Sequence, residues 1–137
     1  MSRTLVLDTT VFSSLLRKTP EVEKRWLDEL RSGATVLVSP IVYYELRRGL
    51  LKRDAHRLLA FLDELVAKLV WIEVTRRDWE EAADLWVATQ KSGRPRSDAD
   101  LLIAAQAKRR GAVVVTDNVR DFRGMAPVVE SWGQGSS

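Results

Sequence analysis

The sequence predicts an α/β fold in which helices cover both faces of a central parallel sheet. Short, continuously apolar segments typical of buried strands alternate along the chain with longer segments of helical periodicity. The chain has 137 residues, with no internal repeat and no internal linker, which is the usual size of a single domain. We therefore expect one globular domain over residues 1–131 and a flexible tail over residues 132–137.

The chain is predicted to begin with a strand at residues 4–8, TLVLD, an apolar run that ends in a carboxylate. A helix follows at residues 10–18, where apolar side chains recur on one side. A second helix is predicted over residues 21–33, because apolar residues recur there at three- and four-residue steps and Gly33 provides a stop.

The middle of the chain continues the alternation with a buried strand at residues 35–39, TVLVS. Ser39 and Pro40 predict the start of a helix over residues 40–52, because proline is tolerated at the first helical position and serine is able to cap it. A further amphipathic helix is predicted over residues 55–69.

The last third of the chain contains both kinds of element again. A strand is predicted at residues 70–74, a long helix at residues 77–93 and another helix at residues 98–110 that Gly111 ends. Strands are predicted at residues 112–116 and within residues 126–131. Since the strands are apolar throughout rather than alternating, the sheet is expected to be parallel and buried on both faces.

The composition excludes several kinds of chemistry. The sequence has no cysteine and a single histidine, so disulfides, thiolate metal sites, thiol nucleophiles and histidine clusters are excluded. No apolar run approaches the roughly 20 residues of a membrane span, and the N-terminus lacks the pattern of a signal peptide. We expect a cytoplasmic protein that does not contact a membrane.

The charge distribution permits an anionic partner. The formal net charge is +3 and the sequence pI is about 9.5. Basic residues cluster in ELRRGLLKR, VTRRD, KSGRPRS and KRRG, whereas several acidic residues lie beside predicted strand ends. A basic surface around an acidic pocket suits a nucleic acid whose phosphates meet a bound metal, although each cluster is equally consistent with a solvated helix face.

The five tryptophans are predicted to serve mainly in packing. Trp79 and Trp86 fall on one helical stripe together with Ala82 and Ala83, which is typical of a core-facing side. This spacing favours packing over the stacking of nucleic-acid bases.

Four acidic residues from distant segments are predicted to meet at one edge of the sheet. Asp8 and Asp117 follow strands directly, and Glu45 and Asp100 lie in the opening turns of helices. The working site of such folds lies beyond the carboxyl ends of the parallel strands. Clustered carboxylates raise one another's pKa values and oppose folding unless a cation binds among them. Mg²⁺ prefers oxygen ligands, which makes it the expected ion.

Each of these acids also has a purely structural interpretation. Asp8 would cap the helix that follows it, and Glu45 would complement a helix dipole. Ser97 and Asp100 have the spacing of a capping box. At about 100° per residue, Asp100 faces the apolar side of its helix, whereas Asp98 faces solvent. Motifs of phosphate-binding loops, dinucleotide-binding folds and serine hydrolases are absent from the sequence.

Four segments of the sequence resemble a known family. LVLDTTVFSSLL, VSPIVYYELRRG, SDADLLIAAQA and VVVTDNVRDF occur in the order and spacing of the PIN-domain ribonucleases, and the chain most resembles the VapC-type toxins of type II toxin–antitoxin pairs. The resemblance covers nearly the whole chain. It implies a three-layer α/β/α PIN-like fold, endoribonuclease activity (a hydrolase) dependent on Mg²⁺ or Mn²⁺, dimerisation, and neutralisation by a cognate VapB-like antitoxin.

The resemblance also implies which residues form the site. Asp8, Glu45 and Asp100 match the first three family acids, and Asp98 is an additional neighbour that is a less favoured ligand. At the fourth position the strictest pattern has an acid where this chain has Asn118, so Asp117, Asn118 and Asp121 remain alternatives, with Asp117 preferred. Further expected site neighbours are Thr9 and Thr116, and the candidates for RNA contacts are Arg47, Arg48 and Arg96.

The predicted mechanism is hydrolysis of RNA phosphodiester bonds by a metal-activated water. Asp8 and Asp100 are expected to hold the ion directly, with Glu45 and Asp117 acting on a second ion or through water. The resemblance implies 5′-phosphate and 3′-hydroxyl products. The alternative, which the asparagine at the fourth position favours, is a non-catalytic PIN-like module that binds RNA or a protein.

Overall fold

A computed structural model of the chain describes residues 2–125 and 128–133. Within these residues it contains a five-stranded parallel sheet, six helices and one 3₁₀ turn. The strands are β1 (Thr4–Leu7), β2 (Thr35–Val38), β3 (Val70–Trp71), β4 (Val113–Val115) and β5 (Val129–Glu130). The helices are α1 (Thr9–Leu16), α2 (Pro20–Arg31), α3 (Pro40–Lys52), α4 (His56–Ala67), α5 (Arg76–Lys91) and α6 (Asp98–Arg110), and the 3₁₀ turn is Val119–Phe122. The predicted three-layer α/β/α fold is confirmed.

The strand order is β3-β2-β1-β4-β5, and each neighbouring pair is parallel. β1 is central, because Leu5 lies opposite Val36 of β2 on one side and Val113 of β4 on the other. The chain moves outward from β1 through β2 to β3 and then returns to the other side of β1 as β4. The order of the strands therefore reverses between β1 and β4, where ligand sites form in parallel sheets.

The core is built on β1 and α6. Leu5, Val6 and Leu7 are completely buried, as expected for a central parallel strand. Every residue of α6 from 101 to 107 is buried, three of them alanines, because this helix packs against β1 and β4 on one side and α5 on the other. The small side chains allow α6 to approach the sheet closely.

A buried ion-pair network joins α5 to α6. The carboxylate of Asp78 is completely buried and lies 3.0 Å from guanidinium nitrogens of both Arg109 and Arg110. Asp78 also forms a capping box with Thr75 at the start of α5. Burial would raise the pKa of Asp78, but the bonds from Arg110, the Thr75 backbone and Arg109 hold that pKa well below its usual range.

The predicted packing of the tryptophan stripe on α5 is wrong. Trp79 and Trp86 are 57% and 48% exposed. The face that α5 buries instead carries Asp78, Ala82, Leu85 and Thr89. Because Asp78 is drawn into the core by its two arginines, the helix is rotated so that its tryptophans point to solvent. Trp71 is also exposed, whereas Trp26 and Trp132 are buried.

Two smaller predictions also need correction. β3 covers only Val70–Trp71 rather than residues 70–74, and it forms an exposed edge that pairs with β2 alone. Ser39 precedes α3 as predicted, but its buried hydroxyl makes no hydrogen bond within the described part of the chain and so does not cap the helix.

The first residue of the predicted flexible tail, Trp132, is packed against the rest of the chain instead. The Trp132 ring is 3% exposed, its Nε1–H donates to Glu130 at 3.0 Å, and Arg25 lies over its face. The expected tail at residues 134–137, and residues 126–127 of the predicted last strand, lie outside the described residues. None of the described helices is sufficiently long and apolar to cross a membrane.

Candidate active site

Asp8 lies at the carboxyl end of β1 and is held by four hydrogen bonds. Its Oδ1 accepts from the Thr10 N–H at 3.0 Å, the Thr10 hydroxyl at 2.6 Å and the Val11 N–H at 3.2 Å. Its Oδ2 accepts from the Thr116 hydroxyl at 2.5 Å. Burial raises the pKa of Asp8, and the four hydrogen bonds limit that rise. Asp8 therefore caps α1, as one interpretation of the sequence predicted, and also presents a carboxylate at the end of the central strand.

Thr116 connects β4 to Asp8. Its side chain is completely buried, and its hydroxyl accepts from the Asn118 N–H at 2.9 Å while donating to Asp8. One residue later, the Asp117 N–H donates to the Thr10 hydroxyl at 2.9 Å. The ends of β1 and β4 are thus joined by side-chain hydrogen bonds that fix the Asp8 carboxylate.

Glu45 reaches the same edge of the sheet from the second turn of α3. Its Oε1 accepts from the Thr9 hydroxyl at 3.1 Å, which ties α3 to the start of α1. Arg48, one turn further along α3, lies 4.0 Å from Glu45 Oε2. The Glu45 carboxylate is half-buried and directed toward the residue that follows Asp8.

Asp100 completes this side of the site from the start of α6. Its N–H donates to the Ser97 hydroxyl at 3.1 Å, which confirms Ser97 as the helix cap. Burial raises the pKa of Asp100, the charges of Asp121, Asp8 and Glu45 raise it further, and the Ser97 hydrogen bond lowers it, which together give a pKa of about 6. The charges of Asp8, Glu45 and Asp121 therefore all act on Asp100, and these four residues are here called the acidic group.

The structure separates the remaining predicted acids from this group. The Asp117 carboxylate accepts from the Ser14 hydroxyl at 3.2 Å and lines a different cleft, between Thr19 and Gly133. Asp98 faces solvent, as its helical position predicted, and Asn118 is exposed. Asp121, one of the three alternatives for the fourth acidic position, is the acid from the C-terminal region whose charge acts on Asp100.

The acidic group fits a hard divalent cation that keeps part of its water shell. Its donors are carboxylate oxygens, which Mg²⁺ and Mn²⁺ prefer. Over residues 2–125 and 128–133, no three histidine, aspartate or glutamate side chains converge closely enough to enclose an ion by themselves. Mg²⁺ is commonly bound through one or two carboxylates with water as the other ligands, so one or two members of the acidic group would be sufficient to hold it.

The three predicted RNA-contacting arginines have different surroundings. Arg47 donates to the Tyr43 hydroxyl at 3.2 Å and lies 3.8 Å from Asp63, away from the acidic group. Arg48 stacks over the Tyr44 ring beside Glu45. Arg96 donates to the Arg120 carbonyl oxygen at 3.1 Å. Only Arg48 and Arg96 therefore lie near members of the acidic group.

A largely apolar cleft opens beside Glu45. It has a volume of about 280 Å³ and runs between α1, α3 and the start of α4. Its lining combines apolar and polar residues, namely Leu16, Leu46, Gly49, Leu50 and Leu58 together with Thr9, Ser13, Glu45, Arg17 and Arg53. The cleft is continuous with the acidic group through Glu45.

Comparison with known proteins identifies the family of the chain. The model of the PIN domain family matches residues 5–126. Ribonuclease VapC19 of Mycobacterium tuberculosis is 30% identical over 117 residues, which span 85% of this chain and 90% of that protein. Ribonuclease VapC2 of Rickettsia felis is 26% identical over 129 residues, which span 93% of this chain and 96% of the relative.

Solved structures give the same result. The crystal structure of Rickettsia felis VapBC2, bound to a DNA fragment from its promoter, matches with a TM-score of 0.83 at 26% identity and covers 94% of this chain and 98% of that chain. DNA-bound VapBC from Salmonella typhimurium matches with a TM-score of 0.83 at 25% identity, covering 96% and 99%. The chain therefore belongs to the PIN-domain family, and VapC proteins are among its relatives.

Proposed function

We propose that this chain is a metal-dependent endoribonuclease and the toxin component of a type II toxin–antitoxin pair. The observation that carries the proposal is the acidic group, which four separate segments bring to the point where strand order reverses. Family membership and relatives that are named ribonucleases support RNA as the substrate. Hydrolysis of a phosphodiester requires charge compensation at phosphate, which a cation held by these carboxylates would provide.

The residues of the acidic group would have two different roles in binding the ion. Asp8 and Asp100 would hold Mg²⁺ or Mn²⁺ directly, and Glu45 and Asp121 would act through water. When bound, the ion would lower the pKa of a water molecule and offset the charge that develops on phosphate. The hydrogen bonds from Thr10, Thr116 and Val11 orient the Asp8 carboxylate, and Thr9 orients Glu45.

We assign the fourth acidic position to Asp121 instead of Asp117. Asp121 raises the pKa of Asp100 through its charge, whereas the Asp117 carboxylate is bonded to Ser14 in another cleft. The asparagine at position 118 therefore leaves the acidic group complete, because its acid comes from the 3₁₀ turn three residues later.

A cognate antitoxin is proposed as the protein partner. Relatives of this chain are solved as VapBC toxin–antitoxin complexes. The apolar cleft beside Glu45 offers an apolar segment of an antitoxin a site next to the acidic group. Co-expression with the product of a neighbouring short reading frame, followed by co-purification, tests this partner, and a homodimer is tested by the mass of the isolated chain in solution.

Cleavage of RNA by purified variants tests the catalytic proposal. Asp8→Asn and Asp100→Asn are expected to reduce Mg²⁺-dependent cleavage to the level seen with EDTA, because each removes a charge that the ion requires. Asp98→Asn is the matched control, since it makes the same change two residues from Asp100 on the solvent side of α6. Comparing Asp121→Asn with Asp117→Asn decides the fourth position, and we expect the larger loss with Asp121→Asn.

Two results of these cleavage assays would contradict the proposal. If Asp8→Asn and Asp100→Asn proteins with native circular dichroism cleave RNA at the wild-type rate, the acidic group is not the catalytic site. If the wild-type chain binds RNA but does not cleave it with either metal, the non-catalytic binding module is the better description.

A further inference from the structure

A second, strongly basic cleft adjoins the acidic group. It has a volume of about 410 Å³ and is lined by Arg94, Arg96, Arg120, Arg123 and Asp121. Arg94 and Arg96 belong to the loop between α5 and α6, and Arg120 and Arg123 belong to the 3₁₀ turn and the residue that ends it. We call these four arginines and the space between them the arginine cleft.

The two segments that form the arginine cleft are bonded to each other. Arg96 Nη2 donates to the Arg120 carbonyl oxygen at 3.1 Å, and the Arg123 N–H donates to the same carbonyl at 3.3 Å. The Arg96 Nε is buried and finds no hydrogen-bond acceptor among the described residues. The cleft is therefore a defined arrangement of two loops that retains an unused buried donor.

The arginines of this cleft lack counter-ions within the described chain. No aspartate or glutamate oxygen of residues 2–125 and 128–133 lies within 4.0 Å of their guanidinium nitrogens, whereas Arg3, Arg109 and Arg110 are all in ion pairs at 3.0 Å or less. Four like charges around one space repel, and an anion that entered it would relieve that repulsion. Guanidinium groups match phosphate oxygens with paired hydrogen bonds, so phosphate is the favoured anion.

The position of the cleft indicates which phosphate-bearing ligand would bind. Asp121 lines the arginine cleft and also acts electrostatically on Asp100. A chain of phosphates with one phosphate at the acidic group would therefore place a neighbouring phosphate among the arginines. An isolated anion would use only the basic half of this continuous surface.

We propose that the arginine cleft binds backbone phosphates of the RNA strand next to the cleavage point. This proposal rests on the proposed nuclease function. Arg94, Arg120 and Arg123 join the predicted contact Arg96 as phosphate-binding residues, whereas Arg47 is occupied by Tyr43 and Asp63. Because backbone contacts carry no sequence information, the cleft sets the path of the strand and leaves the choice of sequence to other residues.

Binding of a fluorescent RNA oligonucleotide tests the proposal. Anisotropy is measured in EDTA on an Asp8→Asn background, so that the RNA is not cleaved. Arg94→Gln combined with Arg123→Gln is expected to raise Kd about tenfold and to reduce the slope of log Kd against log salt by about 1.4, since each phosphate contact with a single strand contributes about 0.7. These two positions are chosen because neither side chain makes the Arg96–Arg120 bond.

The matched control is Arg76→Gln combined with Arg77→Gln. It removes the same charge from the opposite end of α5, a helix about 24 Å long at 1.5 Å per residue. Its Kd is expected to stay within about twofold of the parent, because charges beyond the roughly 10 Å screening length contribute little. Equal losses in the two double variants would overturn the cleft as a specific site and indicate general attraction to a basic protein.

Cleavage kinetics distinguish failure of the cleft from failure of the nuclease. In the otherwise wild-type chain, Arg94→Gln with Arg123→Gln should raise KM while kcat stays within about twofold, because these contacts exist before and during the reaction. Unchanged Kd and KM would overturn the cleft and leave the nuclease in place. Loss of RNA binding in a chain that never cleaves RNA would retain the cleft and overturn the nuclease.

A binding assay would also detect a ligand other than RNA in the arginine cleft. Poly-glutamate serves as a probe for an acidic protein segment in a parallel titration. If the arginine variant loses binding of poly-glutamate but keeps its affinity for RNA, the cleft binds an acidic polypeptide and the RNA proposal is overturned.

Discussion

Asp100 is the residue at which the demands of the site and of stability are most directly opposed. Its carboxyl group is packed at the start of α6 among three other acids, and its pKa is raised to about 6. In the absence of a cation, ionisation of this group is less favourable in the folded state than in the unfolded state. The residue is therefore expected to reduce stability at neutral pH.

Asp100→Asn tests this cost. Because the folded-state pKa lies above the unfolded value, the folded protein holds more protons between about pH 4 and pH 6, and its stability falls as the pH rises through that window. In metal-free buffer the variant is expected to be more stable than the parent at pH 7.5 by on the order of 2 kcal/mol. That gain should disappear at pH 4.

Thermal melting at the two pH values measures the difference, with Asp98→Asn as the control that shows no such pH dependence. A lower melting temperature for Asp100→Asn at pH 7.5 would show that the cost of ionising the half-buried Asp100 does not dominate at this position.

Thr116 is a positioning residue for Asp8. Its hydroxyl donates to Asp8 Oδ2, so Thr116→Val removes one of the hydrogen bonds that counter the effect of burial on the Asp8 pKa. We expect the acidic limb of the pH profile of kcat/KM to move to higher pH, with a larger loss of cleavage at pH 6 than at pH 8. Thr89→Val, whose hydroxyl bonds the Trp86 carbonyl oxygen on α5, is the matched control. An equal loss at all pH values would indicate only a structural defect.

Asp8, Glu45 and Asp100 were predictable one by one, because each follows a strand or begins a helix at the carboxyl edge of the sheet. The acid that we propose for the fourth position, Asp121, was one of three alternatives in the sequence and not the preferred one. Asp117 directly follows β4 as the pattern requires, but its carboxylate bonds Ser14, a residue of α1 more than 100 positions away. The 3₁₀ turn, closed by a 2.9 Å bond from the Asp121 N–H to the Asn118 carbonyl, presents Asp121 instead. Such a turn leaves no periodic signal in the sequence.

The packing of α5 against α6 depends on Asp78. Asp78→Asn removes a buried charge and leaves two arginines unpaired, a change that costs about 3–5 kcal/mol at fully buried sites. Since Arg109 and Arg110 are about a quarter exposed, they regain some hydration, and we expect a loss of about 2–3 kcal/mol in urea unfolding.

The exposed Asp84 on the same helix provides the control, Asp84→Asn, which should change stability little. The pKa of Asp78 is lowered on folding, so its contribution is present above the ordinary carboxyl value and is lost as the pH falls below it. An unchanged urea midpoint for Asp78→Asn would show that the network adds no net stability.

Two glycines in helical surroundings are expected to respond in opposite directions to alanine. Gly111 ends α6 with a φ of +62°, which strains any residue with a β-carbon, so Gly111→Ala should destabilise the fold by about 1 kcal/mol. Gly49 lies inside α3, where an added β-carbon meets nothing within 4 Å, so Gly49→Ala should stabilise it by about 0.5–1 kcal/mol. Urea midpoints measure both, and effects of the same sign would contradict the assigned conformations.

The positions of the helices were predictable because apolar spacing, proline starts and glycine stops all act locally. The bounds of α3 and α6 match the sequence prediction, whereas the buried face of α5 does not. In the hydrophobic pattern of α5, the two tryptophans favour their own face over the face of Asp78. However, Arg109 and Arg110, which lie 31 and 32 residues further along the chain, stabilise Asp78 in the protein interior. A face chosen by distant charge pairing is not visible in the periodicity of its own helix.

For the whole molecule, binding of Mg²⁺ should increase stability. An ion that binds only the folded chain adds about 1.4 kcal/mol at ten times its dissociation constant, which raises the melting temperature of a domain of this size by about 3–6 °C. Potassium chloride at the same ionic strength is the control for screening of the basic surface. The shift should vanish in Asp8→Asn and Asp100→Asn, and no shift of the wild type at millimolar Mg²⁺ would favour the non-catalytic module.

The overall architecture was predictable from the alternation of apolar strands with helices, but the strand order was not. Nothing in β4 alone shows that it pairs with β1 rather than with β3, the strand that precedes it in the chain. The return of the chain to the other side of β1 is set by the burial of α6 between the sheet and α5. That burial depends on packing across the whole molecule. The edge of the sheet that carries these acids was predictable because acids follow strand ends at any strand order.

That return has a consequence for biosynthesis. β1 is translated before β4, yet β4 is one of its two neighbours in the sheet, and the acidic group includes Asp121 from the turn after β4. A nascent chain that ends before β4 has an open edge on its central strand and lacks part of the acidic group. The acidic group is therefore incomplete until β4 and the 3₁₀ turn after it have been translated and have packed beside β1.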